Sequence, residues 1–338
     1  MPNSVLQGGL ENPVKLSVVV PCYNEQDALL HTAPELERLM LGLMDRRLIS
    51  AESNIWLIDD GSTDSTWSMI DALAARSDLF VGVKLSRNRG HQNALLAGIF
   101  SADGDAVISI DADLQDDLSV FETMIAAYQE GYEIVYGVRR ARDTDTRFKR
   151  WTALGYYRML RTFGTEIVPN HADFRLMGRD AISALQSYTE INLFLRGIIP
   201  QLGFRSTSVF YDRRERVAGE SKYPLRKMIQ LALDGITSFS AVPLRLISGL
   251  GGVVFLFSLA MLVWIFFIRL FTNRALPGWA STTVPIYFLG GVQLLCIGIV
   301  GEYVAKIYAE TKGRPRFLIE KVARRRLGAP TAARPNVT

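Results

Sequence analysis

The chain has 338 residues, a formal net charge of +4, two cysteines and a hydrophobic fraction of 49%. This length holds one large domain plus further segments, and residues 1–245 alone can bury a core. Cys22 and Cys296 fall in segments of opposite character, which excludes a disulfide framework and fits a reducing compartment.

Residues 1–14 read as a polar lead-in, and Met1–Pro13 carries no basic-then-apolar pattern, so the first domain is expected not to be exported. Lys15–Pro21 (KLSVVVP) is a continuous apolar run, which suits a buried parallel strand. Leu29, Leu36, Leu39 and Met40 follow at helical spacings. Asn54–Ile58 is a second strand, broken by Asp59-Asp60-Gly61-Ser62, and Thr63 or Asp64 can cap a helix over Ser65–Ala75. Phe80–Leu85 is a third strand, Gln92–Phe100 a helix rich in small residues, and Ala106–Ile110 a fourth strand ending at Asp111-Ala112-Asp113. This alternation predicts a doubly wound parallel sheet. Such sheets bind ligands at the carboxyl ends of their strands, where each of these polar clusters falls.

From Tyr136 the pattern loosens. Arg139–Arg150 reads as a charged loop and Trp151–Phe163 as an amphipathic helix. Leu193–Gly203 is apolar but too short and too broken to span a bilayer, so it is expected at the membrane surface. Tyr223–Leu244 mixes apolar residues with Arg226 and Lys227, the pattern of an interfacial helix. Leu246–Ile268 and Ala275–Gly301 are free of charge. Each exceeds the roughly 20 residues that carry a helix across a hydrocarbon core.

Cations flank both spans. Arg213, Arg214, Arg216, Lys222 and Arg245 precede them; Lys306, Lys312, Arg314, Arg316, Lys321 and Arg324-Arg325-Arg326 follow. The intervening loop holds only Arg274, with Arg269 at the edge of the first span. The positive-inside rule then predicts a multi-pass protein of the inner, cytoplasmic membrane with both flanks cytoplasmic. Cations that hug membrane ends without a nucleic-acid motif exclude nucleic acid as the expected partner.

Three clusters carry the chemistry. Asp111 and Asp113, one residue apart at a strand end, can offer carboxylate oxygens to a hard divalent cation such as Mg²⁺ or Mn²⁺. Asp59 and Asp60 can accept hydrogen bonds from a nucleobase or ribose, with Asp64 as a helix cap. In Pro21-Cys22-Tyr23-Asn24-Glu25, Tyr23 can stack on a base while Asn24 and Glu25 meet base or ribose edges. His31, His91 and His171 form no metal-ligand spacing.

The order Val18–Glu25, then Ile58–Asp64, then Asp111–Asp116 resembles family 2 glycosyltransferases of the GT-A fold. Ser86–Gln92, Ala172–Met177 and Gly219-Glu220-Ser221-Lys222-Tyr223, followed by two spans, are similar to the polyprenyl-phosphate branch of that family. This branch comprises the bactoprenol glucosyltransferases, akin to dolichyl-phosphate mannose synthases. The resemblance covers about residues 15–320. It implies an α/β fold: a Rossmann-like, mostly parallel sheet with helices on both faces, then interfacial helices and two C-terminal transmembrane helices. The domains would be a lead-in (1–14), a transferase domain (15–222), an interfacial region (223–245), the two spans (246–305) and a basic cytoplasmic tail (306–338).

The implied reaction moves a monosaccharide, glucose on UDP foremost, from a nucleotide sugar to undecaprenyl phosphate in a metal-dependent, inverting displacement. A phosphate's second pKa is about 6, so the acceptor is already mostly anionic and needs no general base. By resemblance Asp111 and Asp113 hold Mg²⁺ or Mn²⁺, and Lys222 reaches the diphosphate. Arg139 with Arg147 or Arg150 holds the acceptor phosphate, and Asp113, Arg139 and Lys222 are the catalytic set. Pro21, Tyr23, Asn24, Glu25, Asp59, Asp60, Gly90, Asp111 and Gln115 take the nucleotide. Asp173 lies near the donor sugar, with an ion pair to Arg175 as the rival reading; His91 is equally open to a ribose-binding or a structural role. The partners are a nucleotide sugar, a polyprenyl phosphate lipid, the bilayer and further copies of the chain, a homotetramer by resemblance. A processive polysaccharide synthase is disfavoured, because Arg150-Trp151 lacks the Gln of Gln-x-x-Arg-Trp and two spans make a thin export channel. A nucleotide-sugar-binding scaffold without catalysis is the third reading; Asp111, Asp113 and Lys222 argue against it.

Overall fold

The computed structural model describes residues 13–140, 171–191, 195–212, 242–271 and 279–325. The chain divides into two units: Met1–Arg150 with Ile167–Lys222 and Pro315–Thr338, and Trp151–Glu166 with Tyr223–Arg314. The expected helix over Trp151–Phe163, most of the interfacial segment Tyr223–Leu244, and Arg147, Arg150, Arg213, Arg214, Arg216 and Lys222 lie outside the described residues.

The first unit is built on a sheet that has eight strands among the described residues. Strand β1 (Leu16–Cys22) is buried along its whole length, as its unbroken apolar run requires. It pairs in parallel with β2 (Asn54–Asp59) and β4 (Ala106–Ser109), and β2 pairs in parallel with β3 (Phe80–Leu85). Helix α1 (Gln26–Asp45) buries Leu29, Thr32, Ala33, Leu36, Met40 and Leu43, the stripe of a 3.6-residue period. Helix α2 is Thr66–Arg76. Helix α3 (His91–Ser101) is apolar nearly all round and lies close on the sheet. That approach depends on Gly98, where a Cβ would come within 2.3 Å of Val19 Cγ1 and 2.8 Å of Ile58 Cγ1.

Beyond β4 the sheet departs from the expected parallel pattern. After α4 (Phe121–Gln129), β5 (Ile134–Arg139) does not join β4. Strand β6 (His171–Gly178) inserts between them, antiparallel to both. Strand β7 (Ser206–Tyr211) pairs in parallel with β5, and β8 (Ile319–Ala323) pairs antiparallel with β3. Among the described residues four pairings are parallel and three antiparallel; the sheet is mixed. Strand β8 lies within the stretch expected to be only a basic tail.

Leu193–Gly203 also differs from expectation. Between α5 (Arg179–Gln186) and β7, helix α6 (Leu195–Gln201) buries Leu195, Gly197, Ile198 and Ile199 within the described structure. These four residues are taken up by protein packing rather than laid on a membrane surface; Leu193 and Phe194 lie outside the described residues.

The second unit contains α7 (Val242–Phe271, 30 residues) and α8 (Trp279–Thr311, 33 residues). Helix α8 runs on past Gly301, the expected end of the second span. Within it, Phe288–Thr311 is the one stretch among the described residues long and apolar enough to cross a membrane.

Gly98→Ala should overpack the α3–sheet contact by one methyl, about 1–3 kcal/mol. A thermal melt should show a midpoint several degrees lower, while Gly42→Ala, with nothing within 4 Å of the added carbon, keeps or raises it.

Candidate active site

The site lies at the carboxyl ends of β1, β2 and β4, where two loops are stitched together. Pro21 and Cys22 remain inside β1 and are buried; Tyr23 is 46% exposed. Asn24 takes φ +54°, a region that Asn tolerates. Its N–H donates to Ser62 Oγ at 3.0 Å, and its side-chain oxygen accepts from Thr63 N at 2.8 Å. Glu25 N donates to Thr66 Oγ1 at 2.9 Å. Asp64 caps α2 as expected, accepting from Thr66 N at 2.9 Å, and also accepts from Gln26 N at 3.4 Å. Asn24 thus fixes the loop after β2 rather than standing free for a ligand.

Asp59 and Asp60 are both buried but serve differently. Asp60 accepts from Arg89 N at 2.7 Å and Gly90 N at 2.9 Å, one bond to each oxygen. Its carboxyl defines the turn before α3, where Gly90 has φ +88°. Gly61, at φ +68°, sits so close that a Cβ would meet Arg87 C and Asn88 N at 2.6 Å. Asp59 accepts from Ser62 N at 3.1 Å through Oδ1, while Oδ2 is buried and without a hydrogen-bond partner. Burial raises the pKa of both carboxyls.

The acidic centre follows β4. Thr32 of α1 donates to the Ala112 carbonyl at 2.5 Å and holds the Asp111-Ala112-Asp113 turn. Asp113 Oδ1 accepts from Gln115 N at 3.3 Å, and the Gln115 side chain is buried. His91, the first residue of α3, places Nε2 3.6 Å from Asp111 Oδ1 and 3.4 Å from Asp173 Oδ2. Asp173, on β6, also meets Arg175 Nη2 at 2.6 Å and Arg196 at 3.3 and 3.2 Å. The Arg175 ion pair exists, yet the same carboxyl also faces His91.

Electrostatics follow from these contacts. Burial pushes Asp111 up to about 6; His91 opposes this, and Asp116, Asp173 and Asp113 add to it. Burial works against the Asp173 charge too, but His91, Arg175 and Arg196 outweigh it and hold the carboxyl well below the usual range. His91 is raised, since Asp173 and Asp111 outweigh its burial.

Arg139, the last residue of β5, sits apart from this centre in its contacts. Its Nη2 donates to Asp116 Oδ1 at 3.0 Å and its Nε to Tyr211 Oη at 3.1 Å. The Tyr211 hydroxyl donates to the same Asp116 oxygen. No group of three or more His, Cys, Asp or Glu able to hold a metal occurs among the described residues.

The family description "Glycosyl transferase family 2" matches residues 17–185. The uncharacterized glycosyltransferase YkoT of Bacillus subtilis (strain 168) is 49% identical over 307 residues, covering 90% of this chain and 91% of that protein. A bactoprenol glucosyl transferase of Shigella phage SfX is 42% identical over 311 residues (91% and 99%). A prophage bactoprenol glucosyl transferase homolog of Escherichia coli (strain K12) is 40% identical over 313 residues (91% and 99%). The chain belongs to glycosyl transferase family 2. It is a glycosyltransferase, and its loops cluster at the strand ends where an α/β enzyme binds ligands.

Sequence reasoning reached Asp111, Asp113, Asp59 and Asp173 in this transferase but passed over Arg196, Asp116 and Tyr211. Asp116 stood in the Asp111–Asp116 run. Arg196 and Tyr211 had no local signal, since they meet Asp173 and Asp116 only across 23 and 95 residues of chain.

Because Asp111 has a raised pKa, the unfolded chain loses that proton first as pH rises. Stability is therefore lost between about pH 4 and pH 6. In metal-free buffer, Asp111→Asn should gain a few degrees in melting temperature relative to wild type at pH 7.5, and less at pH 4.5. An equal offset at both values would contradict the assignment.

Proposed function

We propose that this glycosyltransferase moves a glucosyl group from UDP-glucose to the phosphate of undecaprenyl phosphate. The observation that carries the reading is the crowding of Asp111, Asp113 and Asp173 at the carboxyl end of β4, on a chain that relatives named as a bactoprenol glucosyl transferase and a homolog of one match over 91% of its length. Burial raises Asp111, and the nearby charges of Asp116, Asp173 and Asp113 add to it, a crowding that a bound cation would relieve. Carboxylate oxygens are the donors Mg²⁺ and Mn²⁺ take, with diphosphate and water left to complete the shell, so Asp111 and Asp113 fit such an ion. The ion would supply charge neutralisation to the departing diphosphate.

The chain's own residues carry the remaining assignments. Tyr23, Asn24, Glu25, Asp59 and Asp60, with Pro21, Gly90 and Gln115, shape the nucleotide pocket, several of them by locking its loops. Asp59 Oδ2 is the acceptor left open there. Lys222 meets the diphosphate, and Asp173 orients the donor sugar. Arg139, with Arg147 or Arg150, holds the acceptor phosphate against the anomeric carbon. A phosphate oxygen of the acceptor forms the new bond to C1 as the C1–O bond to UDP breaks. Its electron pair leaves with UDP, and the anomeric configuration inverts. The acceptor oxygen carries no proton to remove.

Two membrane crossings, with the catalytic domain and C-terminus cytoplasmic, belong to the same reading. Strand β8 follows α8 yet pairs with β3. Strands paired in one sheet share one side of a bilayer, which supports an even number of crossings between β7 and β8. If α8 crosses, α7 supplies the return. Assembly as a homotetramer completes the proposal.

Purified protein with Mg²⁺ or Mn²⁺, UDP-glucose and undecaprenyl phosphate should yield one glucose per lipid, and Asp113→Ala should slow the reaction by about 100-fold. Wild-type rates in Asp113→Ala would remove the metal assignment. A polymeric product by sizing would replace the reading with a processive synthase.

A further inference from the structure

We propose that Tyr211 and Asp116 are positioning residues that aim Arg139 at the acceptor phosphate, an inference that rests on the acceptor role given to Arg139 above. Arg139 and Tyr211 end β5 and β7 and stand opposite each other in the register of that parallel pair. Backbone pairing thus fixes their separation before the side chains meet. The Tyr211 ring is 2% exposed and packs edge-on to Phe174, with centroids 5.4 Å apart. Its hydroxyl has little freedom to move.

The three side chains close a cycle. Arg139 Nε donates to Tyr211 Oη at 3.1 Å, Tyr211 Oη donates to Asp116 Oδ1, and Arg139 Nη2 donates to that same oxygen at 3.0 Å. Asp116 is 1% exposed, and its Oδ2 has no hydrogen-bond partner. The hydrogen bonds to this carboxylate among the described residues thus come from these two donors, both on Oδ1, and a buried charge so placed holds its partners firmly.

The consequence for Arg139 is directional. A guanidinium has five N–H donors in a rigid plane. Nε–H and one Nη2–H are engaged, which leaves Nη1 and the remaining Nη2–H as one free edge. That edge has the fork geometry that takes a phosphate bidentately. The Arg139 side chain is 27% exposed, so the free edge can reach a ligand. Mere positive potential would be better served by a cation without a carboxylate 3.0 Å away. The arrangement gives up net charge and gains a fixed orientation.

The test uses the full chain in detergent, with farnesyl phosphate as a short polyprenyl phosphate and UDP as the nucleotide probe. Tyr211→Phe preserves the ring packing and every charge but removes the hydroxyl. It should weaken farnesyl phosphate binding about ten-fold, the effect of one hydrogen bond to a charged group. UDP affinity should stay within about two-fold and the melting temperature within a few degrees. In an Arg139→Ala background the same change should have no further effect, since the two side chains act as a unit. Unchanged lipid affinity in Tyr211→Phe, additive losses in the double variant, or an equal loss of UDP binding would each overturn the positioning role while leaving the acceptor role of Arg139 standing. Unchanged binding in Arg139→Ala, or no farnesyl phosphate binding by wild type, would instead overturn the acceptor reading, and this inference with it.

Discussion

Asp173 and Arg175, two residues apart on β6, make the ion pair on which the arrangement of the site depends. Arg175 is fully buried, its Nε and Nη1 have no hydrogen-bond partner among the described residues, and its Nη2 meets Asp173 at 2.6 Å. A buried guanidinium stripped of its carboxylate is strongly destabilising. The pair lies within β6, which backbone pairing places between β4 and β5 with Arg175 in register with Ser109 on one side and Tyr136 on the other. Asp173 then reaches outward to His91 and Arg196 from the same position. One carboxyl thus joins the interior of the sheet to the edge where Asp111 lies.

The same strand serves the second centre. Phe174, between the two charged residues, packs against Phe121 at 5.9 Å and edge-on against Tyr211 at 5.4 Å. The Tyr211 hydroxyl reaches Asp116 and Arg139 from there. Alternation of side chains along a strand lets β6 present charge to one face and an aromatic anchor to the other. A rigid scaffold of this kind suits glycosyl transfer, where fixed orientation of the reacting groups lowers the barrier.

At the carboxyl ends of β1 and β2, the loops are tied to one another by the chain's own groups. Asp60 and Asn24 accept from backbone N–H groups of neighbouring loops, and Gly61 permits the close approach of 2.6 Å to the chain at Arg87. Residues that look like ligand contacts in a linear motif are in part the fasteners of the pocket that ligand would enter. Asp59, with one buried oxygen still open, is the exception.

Much of this protein was legible from its residues alone. The strands from Leu16 to Ser109 and the helices between them appear within a residue or two of their expected limits, because buried parallel strands are unbroken apolar runs and α1 is periodic. The acid pair Asp111 and Asp113 at a strand end was legible for the same reason: its position depends on local sequence. What lay beyond Tyr136 was decided by the tertiary structure. Strand β6 carries a buried Asp and Arg where a core strand would be apolar, and β8 sits in a stretch dominated by cations. The apolar segment around Leu195 reads as membrane-seeking until protein is seen to cover it. The contacts of Arg139 with Asp116 and Tyr211 span 23 and 72 residues. Local pattern encodes burial and period, whereas such partners meet only when non-local strand pairing brings them side by side.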